Sequence, residues 1–415
     1  MPAALTAPLG GALRGVPRQY VAAMAVLVAA VALAVPMARQ EGILAALWAL
    51  GLAAGFTLQR SRFCFASAFR DLFLFGSARI MKAILLGLAV ATTGFAAIMH
   101  AAVPFPGFGA LPPEAHVLPV GISTVLGGLL FGYGMVLSGG CVSGSLYRAA
   151  EGYVASWVSL AGVVVGLGFI SQTWNWWWAT LVSGEPKIWL PATAGLGYAG
   201  ALALTFAALL VAFVFLIWWE ARAGVFALPV AAATRPLTSF RDQLAHMWHA
   251  VFMHGWPAAV GGAVLGGIVV VMYTVHMPWG VTGELTRLAN ASMTSFGAAP
   301  PAALGLSDIG GCAARADETG LFSHTFSVTV GILPGALVGA LFAREFKLRF
   351  PRSAVRYAQS LGGGVLMGAG SGLAIGCTIG AFFSAIPSLS ISGWLFGAAL
   401  AGGAYLGVQT IRRIP

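Results

Sequence analysis

Gly127 to Gly144 reads GGLLFGYGMVLSGGCVSG, and Gly363 to Gly380 reads GGVLMGAGSGLAIGCTIG. Aligned without a gap, the two stretches agree at Gly127/Gly363, Gly128/Gly364, Leu130/Leu366, Gly132/Gly368, Gly134/Gly370, Leu137/Leu373, Gly140/Gly376, Cys141/Cys377 and Gly144/Gly380. A chain with 56 glycines in 415 residues yields some of these matches from composition alone. A cysteine held in register with six glycines and two leucines marks an internal duplication. Each copy is a continuous apolar run that closes on a thiol. The fold must therefore place two related apolar segments, each with a cysteine at its end.

Working outward, 59% of the residues are hydrophobic and 8% are charged, and the mean hydropathy is +0.88. A soluble domain carries about 25% charged residues. The chain reads as an all-α polytopic membrane protein, because its apolar runs are continuous rather than alternating as in a barrel strand. Ten hydrophobic segments are expected: 20–36, 43–57, 80–102, 120–137, 154–170, 196–219, 256–275, 325–342, 360–375 and 391–408. The first follows Arg14 and Arg18, has no small-residue cleavage site before Arg39, and is read as a retained span. Several are short for a hydrocarbon core of about 30 Å, which together with the glycines predicts interrupted helices.

The formal net charge of +10 suggests nucleic acid only in a soluble protein. Here the cations sort by loop. With the N-terminus on one side, every Lys and Arg except Arg39, Lys187, Arg287 and Arg315 falls in loops of that side. Nucleic acid is thus excluded as a partner, and the positive-inside rule predicts a cell inner membrane with both termini cytoplasmic. Trp174, Trp176, Trp177 and Trp178 then form an aromatic belt at the outer interface.

The organisation expected is a tail and first span over 1–42, repeat 1 over 43–172, a connector span and cytoplasmic loop over 173–254, repeat 2 over 255–411, and a basic tail over 412–415. An odd connector after four spans turns the second repeat upside down. The Cys141 and Cys377 turns then approach the midplane from opposite sides, where inverted-repeat transporters place their substrate.

Four scattered cysteines with no CxxC pair exclude a disulfide scaffold, and the histidines show no HExxH or His-Cys spacing for a metal; no cofactor is expected. No Walker A or GxSxG motif is present. What remains is single thiols in glycine turns. Gly140 and Cys141 lead into Ser143 and Gly144, and Gly376 and Cys377 into Thr378 and Gly380. Such turns expose backbone N–H groups beside a polarisable sulfur, a setting for a sulfur-containing anion. Packing of small residues explains the same pattern more blandly.

Gln59-Arg60-Ser61-Arg62-Phe63-Cys64 ends the second segment and continues to Arg70. Arg62 and Arg70 suit an oxyanion, and topogenic charge is the plainer reading. Gly310-Gly311-Cys312 occupies the comparable place before the eighth segment, so Cys312 divides between pathway and packing. Trp279-Gly280-Val281-Thr282-Gly283-Glu284 lines the outer entrance or forms a simple turn.

The combination of QRSRFC, SGGCVSG, WGVTG and IGCTIG, from about Gly51 to Gly407, resembles the YeeE/YedE family of sulfur-transport membrane proteins. The resemblance implies an importer of thiosulfate or a related sulfur anion, with an hourglass pathway and loop cysteines at its centre that map onto Cys64, Cys141 and Cys377. It implies S–H hydrogen bonds to the anion without a stable covalent adduct, and a separate TusA-like cytoplasmic sulfurtransferase as partner. Selenium-compound or persulfide transport suits the same thiols. A membrane sulfurtransferase or thiol oxidoreductase is the rival of another class, and the absence of CxxC counts against it.

Overall fold

The computed structural model describes residues 18–108, 110–193, 195–224, 248–306, 309 and 322–413. Cys312 and Arg315 lie outside the described residues. Regular structure among the described residues is helical, apart from three isolated β-bridges. The helices are α1 (Arg18–Gln40), α2 (Gly42–Ser61), α3 (Phe65–Phe75), α4 (Arg79–Ala102), α5 (Ile122–Ser138), α6 (Val142–Ala150), α7 (Val154–Thr180) and α8 (Gly197–Arg222). After residue 247 come α9 (Ala258–Val275), α10 (Thr282–Ser295), α11 (His324–Phe342), α12 (Ala354–Leu373) and α13 (Ile391–Arg413). A π-helical turn, Thr378–Ser384, follows α12 at a bend of 48°.

Nine of these stretches are long and apolar enough to cross a membrane, and α12 with its π-turn makes a tenth. All ten expected segments are present. The helix α7 runs on to Thr180 and carries the four tryptophans in its last turns.

Packing shows what the repeated glycines do. A Cβ on Gly127 would lie 2.7 Å from the Gly370 carbonyl oxygen, and one on Gly134 would lie 2.5 Å from that of Gly363. The early residue of α5 meets the late residue of α12 and the late meets the early, so the two helices run antiparallel, backbone on backbone. Exchanging each residue for its repeat partner reproduces the same two contacts. The outer faces of the pair repeat the exchange: α7 packs on α12 as α13 packs on α5, α2 on α11 as α9 on α4, and α3 on α13 as α10 on α7. Antiparallel α5 and α12 place their C-terminal cysteine turns at opposite ends of their shared seam.

In the same pairing the break between α2 and α3 answers to the break between α9 and α10, and Cys64 and Val281 take the same place before α3 and α10, with Arg62 and Trp279 two residues earlier.

Gly134→Ala is expected to destabilise the protein by about 1–3 kcal/mol, since the added methyl overlaps backbone that has nowhere to move. Gly362→Ala, where nothing lies within 4 Å, is the control. Thermal unfolding of the detergent-solubilised protein separates the two.

Candidate functional site

Arg62, Arg148 and Arg349 line one basin, and the end of the bundle that carries it is called the basic side here. Towards it, α2 ends with Arg62 in the left-handed region (φ 50°), where the amides of Arg62 and Phe63 return to the carbonyls of Gln59 and Leu58. This closed cap stops α2 inside the protein and turns the chain so that Cys64, extended at φ −145°, begins α3. The second element is α5, which ends at Gly139 with φ 79°. Two residues on, Cys141 begins α6, its Sγ accepting from the Gly144 amide at 3.3 Å.

The two turns bring Cys64 Sγ to 4.0 Å from Cys141 Sγ, with Ser143 Oγ 3.5 Å from Cys141 Sγ. Both thiols are free and fully buried. Gly144 completes the group: a Cβ there would lie 2.7 Å from Cys64 Sγ and 3.1 Å from Cys141 Sγ. The glycine is required because two sulfurs converge on its backbone.

Arg148, which the sequence presents as ordinary basic-side charge, straps this pair together. It donates to the Gly139 carbonyl and, at 3.4 Å, to Ser67 Oγ, joining the Cys141 turn to the helix that Cys64 begins. Arg356 donates to the Leu137 carbonyl at 3.1 Å, so two guanidiniums sit at the C-terminal end of α5 where the carbonyls point. Beyond Arg148 lies a basin of about 360 Å³ lined by Arg62, Tyr147, Arg148, Glu151, Tyr153, Glu345 and Arg349. Arg62 reaches Glu345 at 2.8 Å, and Gln59 bridges Glu345 and Glu151 at 2.9 and 3.1 Å. Burial pushes the Glu151 carboxyl above the usual carboxylate range. Arg70 is not part of this group: it pairs with its neighbour Asp71 at 2.8 Å.

At the other end of the seam α12 ends at Leu373 and the chain turns at Ile375, whose φ of 56° is rare for a β-branched residue. The cap is the same as at Arg62, with the amides of Ile375 and Gly376 returning to the carbonyls of Gly372 and Ser371. Cys377 follows, fully buried, and leads into the π-turn. Outer segments hold the turn in place: His116 Nδ1 lies 3.0 Å from the Gly380 carbonyl, and Ser384 Oγ donates to the Trp279 carbonyl at 2.9 Å. A carbonyl only accepts, so Nδ1 carries the proton. Burial lowers the His116 pKa to about 4, which keeps the ring neutral near pH 7.

Cys377 and the Cys64–Cys141 pair do not meet. Between the two turns stand aromatic rings: Phe65 lies 5.6 Å from both Phe63 and Phe383 and 6.3 Å from Phe382, centroid to centroid. All four are buried. The structure thus brings Cys64, Cys141, Ser143 and Gly144 together and gathers Gly376, Cys377, Thr378 and Gly380 at a second centre. It adds Arg148, Trp279 and His116, and leaves Arg70 aside.

Residues 60–406 match the family model described as sulphur transport. The chain belongs to this sulphur transport family. Over 360 residues, 83% of this chain and 92% of the other, it is 31% identical to the thiosulfate transporter TsuA of Spirochaeta thermophila. It is 36% identical over 172 residues to the probable transporter YedE of Escherichia coli, 41% of this chain and 40% of YedE, so the match spans well under half of that relative. It is 40% identical over 110 residues to the thiosulfate transporter TsuA of Escherichia coli, 26% of this chain and 29% of that protein. The family and its named members point to transport across a membrane rather than to an enzyme. With its apolar helices, the chain is a multi-pass membrane protein of the sulphur transport family.

Proposed function

We propose that the protein imports thiosulfate, or a closely related sulfur anion, through the bacterial inner membrane along a path that runs from the Cys377 turn to the Cys64–Cys141 pair. The observation that carries this reading is the pair itself: two free thiols 4.0 Å apart, closed in by Gly144 and strapped by Arg148. Sulfur–sulfur bonds are about 2.05 Å long, so the pair is not a disulfide. Thiols donate weakly and are polarisable, which suits the soft terminal sulfur of thiosulfate better than an oxygen. The anion passes by exchanging S–H hydrogen bonds, and no bond to sulfur forms or breaks.

On this reading the basic side is cytoplasmic by the positive-inside rule, both termini lie there, and the repeats over 43–172 and 255–411 are inverted about the connector 173–254. The basin receives the anion after the thiol pair. Arg62, Arg148 and Arg349 hold it, and Glu151 and Glu345 keep the site from binding too tightly to release. Arg62, whose side chain is 72% exposed, stands on the face where a TusA-like acceptor would dock, and Arg60 is buried behind it.

The test is uptake of labelled thiosulfate into proteoliposomes, with sulfate as the control anion. Wild-type vesicles are expected to accumulate thiosulfate and not sulfate, and Cys141→Ala vesicles neither. Wild-type vesicles that take up no thiosulfate would sink the assignment.

A further inference from the structure

The helix α8 grips the bundle through few side chains: over its 26 residues it buries Ala201, Thr205, Leu209 and Leu216. Its last turn carries Trp218, Trp219 and Arg222, which with Ala223 and with Leu72, Phe73 and Gly76 at the end of α3 line a groove of about 420 Å³. Trp219 Nε1 donates to the Leu72 carbonyl at 3.3 Å, and its ring meets Phe73 edge-on at 6.5 Å between centroids. From α13, Arg412 donates to the Phe73 carbonyl at 3.0 Å. Gly128 meets Ala399 and Gly132 meets Leu400, so α13 runs parallel to α5 and ends on the basic side. The groove lies at that end.

Its walls are apolar and its rim is cationic. Trp218 is 49% exposed, and the Arg222 guanidinium lies over its ring, 5.3 Å from the centroid. Arg222 and Arg412 are both exposed, and neither makes an ion pair among the described residues. The carboxylates on the same helices are already taken: Asp71 pairs with Arg70 at 2.8 Å, and Glu220 accepts from Lys82 Nζ at 2.6 Å and from the Ala78 amide at 2.7 Å. No neighbouring charge on these helices therefore cancels Arg222.

α8 is a membrane span that ends at Arg222, and tryptophans in the last turn of a span sit at headgroup level. A groove there opens onto acyl chains, which suit walls of Leu72, Phe73 and Trp219 better than water does. A cation at that depth attracts phosphate. A zwitterionic headgroup brings its own cation and gains less from Arg222. We propose that this groove holds one anionic phospholipid of the leaflet on the basic side, its acyl chain along Phe73 and Trp219 and its phosphate on Arg222, with Arg412 adding charge at the rim. The lipid supplies contacts that α8 lacks and ties it to α3 and α13.

Native mass spectrometry of the purified full chain, released from detergent with equal amounts of phosphatidylglycerol and phosphatidylcholine, tests this. The wild-type chain is expected to retain one phosphatidylglycerol in preference to phosphatidylcholine. Arg222→Gln is expected to lower that preference about fivefold, the worth of one cation beside an anionic headgroup, and Arg222→Lys to keep most of it. Ala223→Trp, which fills the groove and keeps every charge, is expected to remove the bound lipid. Arg352 is an exposed cation outside the groove, and Arg352→Gln is expected to change nothing. Equal retention of the two lipids by the wild type, a preference unchanged by Arg222→Gln, full retention by Ala223→Trp, or an equal loss with Arg352→Gln overturns the proposal.

Discussion

Gly144→Ala is expected to lower thiosulfate uptake by about a hundredfold while the protein stays folded. The added methyl would lie 2.7 Å from Cys64 Sγ and 3.1 Å from Cys141 Sγ, well inside contact distance. Cys64 has side-chain freedom to move away, so the strain falls on the thiol pair rather than on the helices. The Gly144 amide that donates to Cys141 Sγ stays in place, which limits the cost to the fold. Displacements of an ångström at a preorganised site commonly cost about two orders of magnitude in rate. Uptake by proteoliposomes and thermal unfolding in detergent, measured on the same preparation, check this. Undiminished uptake would show that the spacing of the two thiols is not part of the path.

Arg148→Gln is expected to lose uptake to a similar degree, with Arg148→Lys recovering only a small part of it. The guanidinium bridges the Gly139 carbonyl, Ser67 and the Tyr147 hydroxyl, each from a different nitrogen. A lysine keeps the charge and loses that fork. Glutamine loses both, and hydrogen bonds from a charged group are worth about 1.5–3 kcal/mol each. Because the strap links the two cysteine turns, the variants should also change how fast Cys64 and Cys141 react with a membrane-permeant maleimide. Uptake kept by Arg148→Lys at the wild-type level would assign the residue a role through charge alone.

The membrane class, the ten segments and the paired cysteine turns were legible in the residues, because continuous apolar runs and a gapless repeat are local signals. The glycines of the repeat carried a second message that was harder to read. Gly127, Gly134, Gly363 and Gly370 are matched because they pack on one another, and of the nine matched pairs Gly140, Cys141, Gly144 and their counterparts stand at the two cysteine turns. Arg148 was hidden by its place among other basic-side cations, since nothing in a sequence separates a charge that orients the chain from one that clamps a turn. Val281 stands before α10 as Cys64 stands before α3, but a cysteine search passes over a valine; Gly310-Gly311-Cys312 drew attention by composition instead. Trp279 stood in a stretch read as an entrance or a turn, and only the structure shows its carbonyl accepting from Ser384. Arg70 fitted the chemistry on paper and is turned to Asp71 by the helix it stands on.

The seam between α5 and α12 has a mechanical consequence. Each helix ends in one of the two cysteine turns, and at Gly127, Gly134, Gly363 and Gly370 the helices come close enough to touch backbone to backbone. Sliding one helix along the other by a single residue changes the distance between the two turns by about 1.5 Å. The register of this one seam therefore sets how far apart the two thresholds stand.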